Sequence, residues 1–196
     1  VILCHGYGGD GKDISILANY WRAYLPNTIF VCPDAPEICA ASSSGFQWFD
    51  LMDQTPEQIL SKSLVAESKL NKLIDEVKEK NSLLANKIVI GGFSQGCMIS
   101  LQTGIKRKDT INSIIGYSGR IIDTAHLGKN IFSKPNIILM HGDIDQIVPV
   151  NSLLEAKDFF NKNNYKIESQ IFKNCEHRIP TEGSSLGLQF IKKHLP

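Results

Sequence analysis

Hydrophobic and polar positions along this chain form segments that are alternately strand-like and helix-like. The strand-like segments are short apolar runs at residues 1–4, 28–32, 87–90, 111–117 and 136–140, followed by an alternating, edge-like run at 165–171. The helix-like segments carry apolar residues three and four apart, at residues 14–25, 56–77, 97–107, 153–160 and 184–195. Near-continuously apolar strands separated by helices are typical of a parallel sheet covered on both faces. The pattern therefore predicts a three-layer α/β fold with a mostly parallel central sheet.

Capping residues mark two of the predicted helix starts. Asp13 is a suitable N-cap for the first helix. Thr55, followed by Pro56 and Gln58, has the form of a capping box with proline at the first helical position. Between these helices, the apolar residues of the segment 33–53 follow neither a helical nor a strand periodicity. A loop of that length in a compact domain is usually functional.

Length, composition and charge describe an ordinary globular chain. Its 196 residues are 42% hydrophobic and 21% charged, which predicts a single domain over residues 1–196. The 21 Lys and Arg against 20 Asp and Glu leave a net charge of +1, so no overall field favours nucleic acid or an anionic membrane. No apolar stretch approaches the roughly 20 residues of a membrane span. We therefore expect no nucleic-acid partner and no stable membrane insertion.

Cysteine usage and the start of the chain carry further expectations. Five cysteines, an odd number without paired short spacings, argue against a disulfide framework or a Cys-rich zinc site and favour a cytoplasmic protein. Metal-binding and phosphate-binding motifs are missing, so we predict neither a metal nor a cofactor. The chain opens on an apolar run without a methionine, and we expect one or two further strands upstream of residue 1.

Residues 92–96 read Gly-Phe-Ser-Gln-Gly and match G-x-S-x-G, the sequence of a nucleophile elbow. The string alone is weak evidence, but a predicted strand leads into it and a predicted helix follows directly. The start of a helix behind the serine offers backbone N–H groups to a developing oxyanion. The alternative is a glycine-rich packing turn with an idle serine. The context favours Ser94 as a nucleophile.

A serine nucleophile needs a general base and an acid that orients the base. In the strand–serine–helix arrangement the acid follows the serine along the chain, and a histidine follows the acid. His194 lies near the end of the last helix, where a cation is favourable anyway, whereas His177 lies in a loop after the last strand. The topology therefore favours His177. Asp143 and Asp145 both follow the strand at 136–140, and spacing alone does not separate them.

Four motifs fall in one order along the chain: His5-Gly6, Gln47-Trp48-Phe49-Asp50, Gly91-Gly92-Phe93-Ser94-Gln95-Gly96, and His141-Gly142-Asp143 with Asp145 and Val148-Pro149. Together they resemble the phospholipase/carboxylesterase family, which includes acyl-protein thioesterases and bacterial carboxylesterases. The likeness covers essentially the whole chain. It implies the α/β-hydrolase fold and a serine hydrolase of carboxylic ester or thioester bonds.

The resemblance also implies roles for particular residues. Ser94 is then the nucleophile, His177 the base, and Asp145, the second of the two aspartates, the acid. The backbone N–H groups of Tyr7 and Gln95 would form the oxyanion hole.

Some positions next to these motifs have simpler interpretations. Cys97 stands where many family members have a further glycine, and we interpret it as a small buried hydrophobe rather than a reactive thiol. His5 and His141 each precede a glycine at a strand end, and we expect them to organise loops through hydrogen bonds.

The substrate pocket is predicted from the long loop at residues 33–53, which we call the excursion. It begins at the end of the predicted strand 28–32, beside the first loop. Phe46, Trp48, Phe49 and Met52 are its candidates for contact with an acyl chain. Any one of them could instead pack in the core under the loop, but we expect some to face the acyl chain. Short connections leave little material for a lid. We therefore predict a shallow, open groove that favours acyl esters of short to medium chain length.

Two other functions stay open. One is protein S-deacylation or lysophospholipid hydrolysis within the same family. The other is a non-catalytic protein of the same fold that binds an acyl ligand, although all three triad positions carry competent side chains. A homodimer is a further partner hypothesis that the sequence does not decide.

Overall fold

A parallel β-sheet forms the centre of the computed structural model, which describes residues 1–42, 44–52 and 54–195. The strands are β1 (Ile2–Cys4), β2 (Glu37–Ile38), β3 (Phe46–Gln47), β4 (Val89–Phe93), β5 (Ser113–Tyr117), β6 (Asn136–Gly142) and β7 (Glu168–Phe172). The helices are α1 (Gly11–Trp21), α2 (Pro56–Lys80), α3 (Gln95–Lys106), α4 (Thr124–Gly128), α5 (Asn151–Lys162) and α6 (Thr181–His194). Within these ranges the main sheet has the order β1-β4-β5-β6-β7, and every neighbouring pair is parallel. The predicted sheet is confirmed.

Helices cover both faces of this sheet, because successive strand residues point to opposite sides and both sides are apolar. One core joins the sheet to α1 and α6 and includes Leu17, Trp21, Ile138, Leu188 and Phe190. The other joins it to α2, α3 and α5 and includes Leu70, Ile74, Ile99, Leu139 and Phe160. None of the helices in the described part of the chain is both long enough and apolar enough to cross a membrane.

The first helix begins earlier than predicted. Its N-cap is Asp10, whose carboxylate accepts a hydrogen bond from the Asp13 N–H over 2.8 Å. Asp13 is the third helical residue, and its carboxylate accepts from the Asp10 N–H over 3.3 Å. The prediction of Asp13 as the cap is wrong because the two aspartates form a reciprocal pair and the apolar stripe begins after both. The second helix follows its prediction, with Thr55 and Gln58 forming the capping box.

Residues 28–32 do not form the predicted strand. Val31 makes a single parallel bridge to Ile2 at the edge of β1. Pro33 has no N–H to donate, so the pairing stops there. The excursion that follows contains β2 and β3, a short antiparallel pair absent from the sequence prediction. Asp53, the last residue of that excursion, and Pro196, the last of the predicted domain, lie outside the described residues.

The carboxyl ends of the parallel strands lie along one edge of the sheet. Loops that leave this edge carry the candidate residues His5 after β1, Ser94 after β4, Asp145 after β6 and His177 after β7. The fold therefore gathers residues from distant parts of the sequence at one edge.

Candidate active site

Ser94 lies at a sharp turn between β4 and α3. Its backbone has φ 54° and ψ −117°, a conformation that residues with side chains rarely adopt. The turn needs glycine on both sides: a Cβ on Gly92 would lie 2.2 Å from the Gly96 carbonyl carbon, and one on Gly96 would lie 2.1 Å from the Cys4 carbonyl oxygen. The strained turn places the Ser94 hydroxyl at the carboxyl edge of the sheet, with the N-terminus of α3 behind it.

Ser94, His177 and Asp145 form a continuous row of hydrogen bonds. Ser94 Oγ lies 3.0 Å from His177 Nε2, and His177 Nδ1 lies 2.7 Å from Asp145 Oδ2. An ionised carboxylate can only accept, so Nδ1 carries the ring proton and donates a hydrogen bond to Asp145. The Nε2 lone pair then accepts from the Ser94 hydroxyl. The row has the geometry of a nucleophile, a base and an acid that orients the base.

The Asp145 carboxylate is buried but well supplied with donors. Its Oδ1 accepts from the backbone N–H groups of Ile147 over 2.9 Å and Val148 over 2.8 Å. Burial alone would raise the pKa of this carboxyl, but the hydrogen bonds from His177 and from the loop backbone outweigh it and hold the pKa below its ordinary value of 3.8. Asp145 is therefore ionised at neutral pH.

Asp143, the competing aspartate, has a different environment. It is exposed, and its Oδ1 accepts a hydrogen bond from the Cys175 N–H over 3.3 Å. That contact ties the loop after β6 to the loop that carries His177. The structure thus separates two aspartates that spacing left equivalent.

His141 and His5 organise the surrounding loops, as predicted. His141 Nε2–H donates to the Val148 carbonyl over 2.8 Å and lies 3.4 Å from Asp145 Oδ2. Burial lowers the pKa of His141 below its ordinary 6.5, in spite of the bond to Val148 that raises it, so the ring is uncharged at neutral pH. His5 Nε2 accepts from the Ala35 N–H over 2.9 Å and anchors the excursion to the first loop.

The first loop and the start of α3 are joined around the predicted oxyanion hole. Gln95 is the first residue of α3, where backbone N–H groups have no partner within the helix. Its side chain accepts from the Trp48 N–H over 2.8 Å and donates to the Phe49 carbonyl over 2.6 Å. The Trp48 indole N–H donates to the His5 carbonyl over 3.0 Å, in the loop that carries Tyr7. These bonds connect the segments that hold the Tyr7 and Gln95 backbones.

The aromatic residues predicted for the pocket mostly lie in the core. Trp48 and Phe49 are 2% and 0% exposed and pack beneath the excursion, so for these two residues the structure favours core packing over contact with an acyl chain. Burying these large rings removes more apolar surface from water than an open groove would. Phe46 is half-buried against the same core, and its backbone pairs with the first loop. Met52 is 53% exposed.

A cavity of about 550 Å³ opens beside His177, on the side of α1 and α6. The rings of His177 and Phe93, 4.7 Å apart, form part of its wall. Its apolar lining includes Ile14, Ile16, Leu17, Tyr20, Ile179 and Pro180. Sequence analysis missed this cavity because it depends on contact between helices from opposite ends of the chain. The available signal was the pair Ile16 and Tyr20, apolar residues of α1 that stay exposed outside its buried stripe.

Cys97 is enclosed next to the serine turn. A Cβ on Gly116 or on Gly119 would lie 2.5 Å from its Sγ. Burial raises the pKa of the Cys97 thiol to about 12, so it is protonated at neutral pH, which confirms its interpretation as a small buried hydrophobe. All five cysteines are free. Across the described ranges, no group of three or more His, Cys, Asp or Glu side chains could hold a metal ion together.

A parallel sheet between two helical layers, with a serine on a strained strand-to-helix turn, defines an α/β hydrolase. The acid and histidine candidates follow the serine in the chain order of that class. The sequence model of the phospholipase/carboxylesterase family matches residues 1–195, and the chain belongs to this family. It is a serine hydrolase that cleaves carboxylic ester or thioester bonds.

Known proteins are similar to this chain along its whole length. Acyl-protein thioesterase 1 of Saccharomyces cerevisiae is 31% identical over 214 residues, which cover 100% of this chain and 92% of the yeast protein. Acyl-protein thioesterase 1 homolog 1 of Dictyostelium discoideum is 28% identical, with coverages of 100% and 90%. The crystal structure of esterase PE8 has a TM-score of 0.94 at 32% identity and covers 99% of this chain and 91% of that one.

Proposed function

We propose that this protein hydrolyses acyl esters and thioesters through a covalent acyl-enzyme on Ser94. The observation that carries the proposal is the row of hydrogen bonds from Ser94 through His177 to Asp145, over 3.0 and 2.7 Å. A serine hydroxyl is a poor nucleophile at neutral pH. A neutral imidazole within hydrogen-bond reach is the base that activates it.

The reaction takes place in two halves. Ser94 Oγ attacks the carbonyl carbon while His177 Nε2 takes its proton. The imidazolium then gives that proton to the leaving alcohol or thiol, and the acyl group stays on Ser94. Water, deprotonated by His177, attacks the acyl-enzyme and releases the carboxylic acid. Asp145, ionised throughout, holds the Nδ1–H tautomer and stabilises the imidazolium.

We assign the oxyanion hole to the backbone N–H groups of Tyr7 and Gln95. The position of Gln95 at the start of α3 supports this assignment, because the positive end of the helix dipole lies there. The hydrogen bonds through Trp48 support it further, because they tie together the two segments that supply the donors. Each such donor is typically worth about 3–4 kcal/mol in the transition state.

The favoured substrates are esters of short to medium acyl chains, and Met52 remains the candidate for acyl contact among the four predicted residues, since it is the exposed one. Similarity to the yeast acyl-protein thioesterase 1 supports protein S-deacylation as the second candidate function. A cytoplasmic location is part of the proposal and is supported by the five free thiols.

An active-site-directed probe tests the acyl-enzyme proposal. A fluorophosphonate should label the native protein at a single site, Ser94, because the probe reacts with a serine that has an activated hydroxyl. Intact-protein and peptide mass spectrometry would measure the stoichiometry and the position. Heat-denatured protein is the control, since it should take up no probe. A protein that only binds acyl ligands would leave Ser94 unmodified.

Acyl-chain preference should be graded rather than absolute. Each buried methylene contributes only about 0.8 kcal/mol, and the shallow acyl groove that we predict from the sequence would bury few of them. In a p-nitrophenyl ester series from acetate to palmitate, we expect kcat/KM to be highest for short to medium chains. An acyl-thioester and a lysophospholipid would be measured beside it. Highest values on palmitate, with acetate and butyrate untouched, would favour the S-deacylase or lysophospholipase alternative.

A further inference from the structure

The cavity beside His177 is absent from the mechanism so far, yet it meets the reacting centre at a defined place. It is bounded by the His177 ring, by Phe93, by the residues that follow His177 into α6, by α1 and by the first loop with Tyr7. Neither Ser94 nor Asp145 is part of its wall. The cavity therefore lies on the histidine side of the nucleophile.

The carbonyl carbon of the substrate carries substituents that point in different directions, and these directions decide which substituent enters this cavity. The carbonyl oxygen points to the donors of the oxyanion hole, which leaves two substituents, the acyl chain and the leaving group. His177 Nε2 must pass its proton to the leaving oxygen or sulfur, so that atom lies within hydrogen-bond reach of the ring. The remainder of the leaving group then extends past His177, where the cavity begins.

The wall of the cavity is chemically suited to an uncharged apolar group. Ile16 and Tyr20 of α1 contribute side chains that are 72% and 45% exposed and lie outside the buried stripe of this helix. The acidic and basic side chains of the wall other than its histidines are Asp13 and Arg178, one of each sign. An apolar leaving group thus gains burial, and a charge of either sign gains no net attraction from the pair.

The two sides of the cavity are also fixed to one another before any ligand binds. The Trp21 indole N–H donates to the Ser184 carbonyl over 3.1 Å and so joins α1 to α6. The Tyr117 hydroxyl donates to the Gly183 carbonyl, again over 3.1 Å, and holds the start of α6 against the sheet. A cavity formed in advance costs little ordering entropy when it is filled.

We propose that this cavity is the leaving-group subsite and that it selects esters and thioesters of uncharged, extended alkyl or aryl alcohols and thiols. The inference rests on the proposed function, because it takes His177 as the group that protonates the leaving atom. Ile16 and Tyr20 are then specificity-determining residues for the alcohol or thiol half of the substrate.

Two substrate series separate the halves of the ester. In the first, butyrate is kept and the alcohol is lengthened from ethanol to octanol, and in the second, ethanol is kept and the acid is lengthened from butyrate to octanoate. With the native protein, kcat/KM should rise along the alcohol series by up to about fourfold for each methylene buried. The double variant Ile16→Ser/Tyr20→Ser should lose at least tenfold of the octyl-over-ethyl preference and keep the ratio along the acid series within twofold.

A double variant of the same kind, Ile38→Ser/Phe132→Ser, is the control. It replaces an isoleucine and an aromatic ring that are 78% and 55% exposed and do not line the cavity, so both ratios should stay as in the native protein. The single variant Ile16→Ser, at a side chain that is 72% exposed, gives a second readout that does not depend on the double variant folding.

The outcomes separate this inference from the function on which it rests. Loss of the acid-series preference with the alcohol series unchanged would make the cavity an acyl site and overturn the inference. Unchanged ratios in both series would remove the cavity from substrate binding altogether. A native protein that is unlabelled by fluorophosphonate and inactive on ethyl butyrate would instead refute the proposed function itself.

Discussion

Replacing Ser94 with alanine should lower ester hydrolysis by several orders of magnitude and leave at most about 10³-fold acceleration over the uncatalysed reaction. This residual activity is what an oxyanion hole and substrate binding supply without a nucleophile. The hydroxyl of Ser94 makes its hydrogen bond to His177 at the surface of a formed turn, so the fold should survive its loss. Initial rates on p-nitrophenyl butyrate, with circular dichroism and thermal melting as the check on folding, would measure the effect.

Ser118 provides a control of the same residue type with a similarly positive φ. It follows β5 as Ser94 follows β4, and its φ of 47° is also positive. Its hydroxyl has no hydrogen-bond partner in the described part of the chain. Ser118→Ala should therefore keep most of the activity. Turnover by a folded Ser94→Ala protein well above the 10³-fold level would contradict the serine mechanism.

The two aspartates should differ by orders of magnitude in their effect on kcat. Asp145→Asn removes the charge that stabilises the His177 imidazolium and the acceptor that selects its tautomer, and a loss of about 10⁴-fold is expected. Asp143→Asn keeps an oxygen that can accept from the Cys175 N–H, so kcat should change by less than about tenfold. Steady-state kinetics on one ester, with both variants checked for folding, would test the assignment. Equal losses in two folded variants would contradict it.

Acid stability gives a second readout for Asp145. Its pKa is lower in the folded protein than its ordinary value of 3.8, so the ionised form contributes stability above that value. This contribution is lost as the pH falls from about 3.8 through the folded pKa. In Asp145→Asn that part of the pH dependence of the free energy of unfolding should disappear, whereas in Asp143→Asn it should persist.

Sequence reasoning succeeded where the determinants are local. The strand, the two close glycines and the helix that create the Ser94 turn are contiguous, so a short pattern predicts them together. The capping box at Thr55 is local in the same sense. The choice between Asp143 and Asp145 is different, because it depends on where the His177 loop returns after a further strand and helix. Here the family resemblance supplied an answer that spacing could not.

The substrate pocket could not be predicted in this way, because its determinants are not local in the sequence. Trp48 and Phe49 occupy a loop without periodicity, and whether such rings face a ligand or the core is decided by what packs below them. The cavity wall combines α1 with the start of α6, more than 150 residues apart along the chain, as the Trp21–Ser184 hydrogen bond illustrates at a separation of 163. No local pattern encodes that contact. The sequence signal for the cavity is the pair of apolar residues Ile16 and Tyr20, which α1 leaves exposed.

The close fit around Cys97 couples three positions that are separated along the chain. Its sulfur occupies space that the absent side chains of Gly116 and Gly119 leave free, directly behind the serine turn. A smaller residue at 97 would leave a void, and a methyl group at 116 or 119 would collide with the thiol. The three positions share one space, so a larger residue at one of them requires a smaller residue at another. Homologues should therefore exchange these residues in compensating pairs, with alanine at 116 or 119 confined to chains that carry glycine at 97.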